Sequence, residues 1–127
     1  MGKIVIAYQS FTGSCKALAE AAAEGVEQAG SKAEVKSITD TQPGDLADVD
    51  GFILTTTQPF QSLAGDTKKF FETVWPAREQ VKKNLLFAAV ICHANEATES
   101  AAALDKFTNY LGWKKAGDWV LAEPGEL

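Results

Sequence analysis

Cysteine and histidine are scarce in this chain of 127 residues: Cys15, Cys92 and His93 are all that it has of either. Two cysteines cannot frame a disulfide-stapled fold. Without zinc-type spacing or a second histidine, a metal site of nitrogen and sulfur ligands is not expected. No apolar run approaches the ~20 residues that cross a bilayer, so no membrane partner is expected. The N-terminal apolar run breaks off at Tyr8-Gln9-Ser10 with no small-residue cleavage site, unlike a signal peptide, and a cytoplasmic location is expected. Positive charge is in short supply, with 12 Lys and Arg against 17 Asp and Glu. The net charge of −5 argues against nucleic acid, whose phosphates demand a basic patch, and leaves basic or neutral partners. Repeats, low-complexity tracts and internal linkers are missing as well. With 46% hydrophobic and 23% charged residues, the expectation is one ordinary globular domain over residues 1–127.

The chain is organised around the stretch Lys3 to Lys16. Ile4, Val5, Ile6 and Ala7 are the short, largely β-branched run of a strand buried on both faces. Ser10, Thr12, Gly13 and Ser14 follow at once. Their hydroxyls and backbone N–H groups fall where a helix from Ser14 would present its unpaired donors and the positive end of its dipole. An anion such as a phosphate fits there without a cationic side chain.

Further along, Leu18, Ala22, Val26 and Ala29 recur at helical spacing, predicting a helix from Ser14 to Ala29 closed by Gly30. Ala33, Val35 and Ser37 alternate with Lys32, Glu34 and Lys36, the pattern of a charged edge strand. Asp40 to Gly44 reads as a loop, and Leu46 to Val49 as a turn of helix at most. Gly51 to Thr57 is a second central strand with a polar exit at Thr55, Thr56 and Thr57. Asp66 to Trp75 reads as a helix limited by Pro76. Asn84 to Cys92, the most hydrophobic stretch, is predicted to be a fully buried strand. A helix from Ala97 to Leu111 and a fifth strand over Trp119 to Leu121 complete the chain. Strands alternating with helices predict a three-layer α/β sandwich on a five-stranded parallel sheet of order 2-1-3-4-5. Ligands of such sheets sit beyond the carboxyl ends of the strands, at the switch point between the first and third.

Ser10-Phe11-Thr12-Gly13-Ser14-Cys15 resembles the FMN phosphate loop of the flavodoxin family, Ser/Thr-x-Thr-Gly-x-Thr after the first strand. Cys15 stands where the family has Thr. The resemblance extends weakly over nearly the whole chain, and implies FMN as cofactor with Ser10, Phe11, Thr12, Gly13, Ser14 and Cys15 around its phosphate. Thr55-Thr56-Thr57-Gln58-Pro59-Phe60, followed by Lys68-Lys69-Phe70-Phe71-Glu72, is similar to the family's flavin-ring segment, in which Thr57, Gln58, Pro59 and Phe60 are the expected ring contacts with Phe60 in the stacking position. Cys92-His93-Ala94-Asn95-Glu96 falls where the family aims backbone donors at the pyrimidine edge; Ala94 and Asn95 replace its glycines. His93 is placed either to donate to a flavin oxygen or a quinone, or simply to face solvent. The thiol of Cys15 is expected to substitute for a hydroxyl near the phosphate. Pairing of Cys15 with Cys92 is not expected, because the third strand separates their loops by about two strand spacings of ~4.8 Å.

The low-molecular-weight tyrosine phosphatases also place a cysteine after a first strand, but they need an Arg six residues on, where this chain has Ala21. A phosphate-receiving regulatory domain needs acidic residues where Tyr8, Gln9 and Thr55 to Thr57 stand. The resemblance therefore implies an electron-transfer flavoprotein working between a redox partner protein and an acceptor. An NAD(P)H-dependent quinone or flavin reductase, acting on a small quinone-like acceptor, and a cofactor-free interaction domain stay open beside it. In full-length family members a C-terminal helix covers the sheet over strands three to five. Here Ala122 to Leu127 is too short and is broken by Pro124 and Gly125. A sheet face left bare in this way implies self-association, most simply a homodimer, with a partner protein supplying the missing helix as the alternative.

Overall fold

The computed structural model describes residues 2–10, 13–59, 63–92 and 98–122. Six strands, β1 (Lys3–Tyr8), β2 (Lys32–Ser37), β3 (Gly51–Thr57), β4 (Leu86–Cys92), β5 (Lys114–Lys115) and β6 (Val120–Ala122), form one sheet with three helices, α1 (Ser14–Gln28), α2 (Gly65–Val74) and α3 (Thr98–Leu111). The order is β2-β1-β3-β4-β5, with β6 also on β4, and each pairing is parallel. The expected fifth strand thus exists as two short pieces on the outer side of β4. Lys114 and Lys115 pair with Leu86 and Phe87, and Val120 to Ala122 pair with Val90 to Cys92. Between them the side chains of Lys115 and Trp119 both reach Asp105 of α3 at 3.1 Å, anchoring the link to the helix behind it.

Element ends follow local chemistry. α1 stops because Gly30 takes φ 95°, a left-handed conformation that only glycine adopts cheaply, and Ser31 N then donates back to the Val26 carbonyl. Asn84, expected inside the fourth strand, has φ 56° and belongs to the turn before it, so β4 starts at Leu86. Pro76 does limit α2, yet the chain continues as a 3₁₀ segment from Trp75 to Gln80, where Pro occupies an N-terminal position that needs no N–H donor.

Strand side chains alternate between two faces. Val5, Ala7, Phe52, Leu54, Phe87, Ala89 and Ile91 meet Phe70, Phe71 and Val74 of α2 and Leu104 of α3 in the main core. That core is aromatic at its centre: Phe52 stacks on Phe87 at 5.5 Å, and Trp113 meets Phe87 edge-on at 5.2 Å. Such pairs add about 0.5–1.5 kcal/mol each beyond area burial. The opposite face is covered by α1, which encloses Cys15 and Ala19 while Leu18, Ala22 and Val26 stay half-buried.

That cover is partial. Beyond α1, Ile53, Ala88 and Val90 are half-buried, while Leu86 and Val120 are 41% and 56% exposed. β4 is therefore not the fully buried strand its composition suggests. Its α2–α3 face is closed, and among the described residues no helix lies over the other face beyond α1.

Candidate functional site

The carboxyl ends of β1, β3 and β4 lie side by side, with Tyr8 paired to Thr55 and Thr57 to Cys92. This junction is tied by polar side chains that are nearly or wholly out of water. Gln9, 4% exposed, accepts through Oε1 from Thr57 N at 2.8 Å, Thr57 Oγ1 at 2.6 Å and Thr56 Oγ1 at 3.2 Å. Thr56 Oγ1 is also hydrogen-bonded to Thr67 Oγ1 of α2 at 2.7 Å. On the α1 side, Thr55 Oγ1 donates to the Cys15 carbonyl at 2.8 Å. Ser100 of α3 donates to Gln58 Oε1 at 3.0 Å. Three helices are thereby fixed to the strand ends from which the site loops leave.

Gln9, Thr67 and Ser100 are not among the expected site residues, and Thr55 and Thr56 are expected only as the start of the flavin-ring segment. Only the run of three threonines hinted at them, and it reads in the sequence as an exposed strand exit. In the structure Thr55 and Thr56 are fully buried, because each hydroxyl finds a partner from a different layer.

The phosphate-loop segment begins directly after this network. Ser10 Oγ accepts from Gly13 N at 2.8 Å, closing the turn. Gly13 is the N-cap of α1 at φ 93°, with no side-chain cap and no acidic residue in the first helical turn. A Cβ placed on Gly13 would meet no other described residue within 4 Å. The start of α1 therefore combines a left-handed glycine, open space above it and the positive helix end, which is what a phosphate needs. Lys16, exposed on the same turn, lies 5.9 Å from the Tyr8 ring centroid and adds positive charge nearby.

Of the other expected residues, Thr57, Gln58 and Pro59 are present at the end of β3, the first buried and the others half-buried. Phe11, Thr12, Phe60, His93, Ala94, Asn95 and Glu96 lie outside the described residues. Among the described residues no group of three or more His, Cys, Asp or Glu is placed to hold a metal, and no helix is long and apolar enough to cross a membrane.

Cys15 and Cys92 require a correction. They are paired as a disulfide, with Cα atoms 6.2 Å apart, and both are fully buried. Two strand spacings separate the two loops only within the plane of the sheet. Cys15, however, sits on α1, in a layer above the sheet, where Thr55 of β3 holds its carbonyl. From above β3 only one strand spacing of ~4.8 Å remains to β4, and the side chain of Cys92 points to that same face. The Cys15 sulfur thus faces its partner inside the protein, in place of the expected thiol contact with a phosphate.

No family model matches the chain. A stretch of 64 residues is 38% identical to an NAD(P)H dehydrogenase (quinone) from Gluconacetobacter diazotrophicus, covering 50% of this chain and 32% of that protein. The match thus spans about a third of the relative's own length. Among solved structures, the two-electron reduced flavodoxin of Megasphaera elsdenii superposes with a TM-score of 0.82 at 22% identity, covering 98% of this chain and 90% of that one. A flavodoxin from the domain Archaea gives a TM-score of 0.80 at 18% identity, over 96% and 85% of the two chains. With the strand order β2-β1-β3-β4-β5 and superposition over nearly its whole length, the chain has the flavodoxin fold.

Proposed function

We propose that this protein binds FMN non-covalently and serves as an electron-transfer flavoprotein. The observation that carries the reading is the start of α1: a left-handed Gly13 with open space above it, directly after β1 and closed by Ser10. Ser10, Gly13 and Ser14, with Phe11 and Thr12 of the same loop, would hold the phosphate. Thr57, Gln58, Pro59 and Phe60 on one side, and the segment from Cys92 through His93, Ala94 and Asn95 to Glu96 on the other, would flank the ring. When bound, FMN would supply the one- and two-electron chemistry of its ring. The protein's own part is to bind and orient. The helix end neutralises phosphate charge without a salt bridge, and the Gln9–threonine network keeps the β3 exit in place without reorganising when the ligand arrives.

A second reading, an NAD(P)H-dependent reductase of quinones or flavins, is favoured by the 38% identity over half the chain to an NAD(P)H dehydrogenase (quinone). The two readings share the FMN site and differ in whether a nicotinamide or a protein delivers electrons. In either, the partner is a redox protein or a small quinone-like acceptor, the location is cytoplasmic, and the single domain associates as a homodimer through its open sheet face.

Titration of purified protein with FMN, riboflavin and FAD tests the cofactor. FMN fluorescence is expected to be quenched, with riboflavin bound far more weakly and FAD excluded by the closed phosphate loop. Equal affinity for riboflavin removes the α1 turn from the explanation. Steady oxidation of NADH or NADPH by the FMN-loaded protein with a quinone moves the assignment to the reductase.

A further inference from the structure

The Cys15–Cys92 pair has no part in the chemistry described so far, yet it crosses the site. Cys15 is the second residue of α1, two positions after the left-handed Gly13, and Cys92 is the last residue of β4. Their bond spans 77 residues of sequence and joins the two flanks of the site over the top of β3. With Cα atoms 6.2 Å apart, the pairing lies inside the range a disulfide accepts without backbone movement. Both residues are fully buried, so an external thiol reaches the sulfurs only through a local opening of the structure around them.

We infer that Cys15 and Cys92 form a reversible thiol–disulfide couple linked to occupancy of the phosphate site, the disulfide form binding FMN more tightly than the dithiol form. This rests on the FMN reading above. Two physical effects give it its sign. The bond holds the first turn of α1 against β4 in the arrangement that leaves the Gly13 turn open, so the cost of ordering this turn is already met when the phosphate arrives. Reduction removes that tie and also creates a thiol at the helix N-terminus, where any thiolate formed competes with the phosphate for the same positive dipole end.

The reductant is a low-molecular-weight thiol such as glutathione. Its thiolate attacks one sulfur of the pair and forms a mixed disulfide while the other cysteine leaves as thiolate. A second thiol then attacks the external sulfur of the mixed disulfide and releases the second cysteine. Overall, the protein disulfide plus two thiols gives the protein dithiol plus one small-molecule disulfide, with two electrons and two protons passing to the cysteines. Linkage is reciprocal: the factor by which the disulfide tightens FMN binding is the factor by which FMN favours the disulfide.

The test uses the whole protein equilibrated in glutathione buffers of graded ratio, its state scored by alkylation and mass, with FMN titrated at each end of the series. The dithiol form is expected to bind FMN about fivefold or more weakly, the lower end of ordinary coupling. FMN is expected to shift the midpoint of the glutathione series by the same factor. Cys92→Ser is expected to bind at the weaker value in both buffers, and Cys15→Ser, in which the other partner is removed, likewise. Equal FMN affinity of the two wild-type states overturns the linkage while leaving the FMN reading intact; this comparison needs no variant to fold. Two alkylatable thiols in every buffer overturn the couple itself. Failure to bind FMN in either state overturns both readings, and is told apart because the alkylation midpoint is then also indifferent to FMN.

Discussion

Gln9 shows how one side chain can hold a site together while leaving little mark in the sequence. It follows a buried strand and precedes a polar turn, a place where glutamine ordinarily faces water. Here it is 4% exposed and takes three donors from the end of β3. Replacing it by Leu keeps most of its bulk but leaves Thr57 N–H and Thr57 Oγ1 without that acceptor in a closed environment. Gln9→Leu is therefore expected to cost about 1–3 kcal/mol, read as a lower urea midpoint at unchanged slope, and to weaken FMN binding through the displaced β3 exit. Thr56→Val should cost less, because Gln9 retains its two shorter bonds. An unaltered midpoint in Gln9→Leu would show that water replaces the amide freely. The turn from Ser10 to Gly13 and the helix start after it are more legible than this network. Gly13 and Ser10 act through their own backbone or a bond three residues away, and such short-range chemistry is written in adjacent letters. The Gln9 network and the cysteine pair join residues more than forty positions apart, so both needed the layers to be assembled first.

At the scale of elements, the strong hydrophobic runs located β1, β3 and β4, and alternation located β2. The fifth strand is legible at Trp119 to Leu121, found as β6, but its first piece is not, because Lys114-Lys115 carries no apolar signal. It pairs because Trp113, 7% exposed, is drawn into the aromatic core and pulls the following residues alongside Leu86 and Phe87. A polar clamp of the same kind fixes the edge strand. Lys36 of β2 meets Asp45, in the 3₁₀ turn Pro43–Leu46, at 2.7 Å, and Asp45 also accepts from Gln42 N at 2.8 Å. The backbone N–H of Gln42, and then the Lys36 ammonium, hold the Asp45 carboxyl below its ordinary value of 3.8. Its hydrogen bond to Asp45 raises Lys36 above 10.5. The contribution of Asp45 is thus complete above pH 3.8 and is lost as pH falls through its lower folded value. That of Lys36 is complete below pH 10.5 and is lost as pH rises through its higher one. Since both side chains are partly solvated, Asp45→Asn is expected to cost only about 0.5–1 kcal/mol at neutral pH. The gap between wild type and variant, measured by urea unfolding at several pH values, should close in acid below pH 3.8. A gap that persists there would assign the loss to packing of the turn.

For the whole molecule, the unequal treatment of the two sheet faces is the feature with the largest consequence. On the α2–α3 side the core is closed, whereas on the α1 side an apolar groove runs past Ile4, Val26, Ile53, Leu86, Ala88 and Ala116, and Val120 continues it on β6. Parallel sheets are normally covered on both faces, because their strands carry apolar side chains on both. Two copies related by a twofold axis satisfy both bare faces with one contact, provided that more than about 1,000 Å² is buried in total. Light scattering at tens of micromolar is therefore expected to give twice the protomer mass. The double variant Leu86→Lys with Val120→Lys places ammonium groups in that contact, on a face distant from the main core. Like charges brought together in an interface cost several kcal/mol, so the variant is expected to run as a monomer at the same concentration, with its thermal transition still cooperative. It should still bind FMN, since neither substituted residue belongs to the phosphate turn or the β3 exit. A wild-type protein that stays monomeric at tens of micromolar would sink the self-association, and a dimer untouched by both lysines would place the interface on another surface.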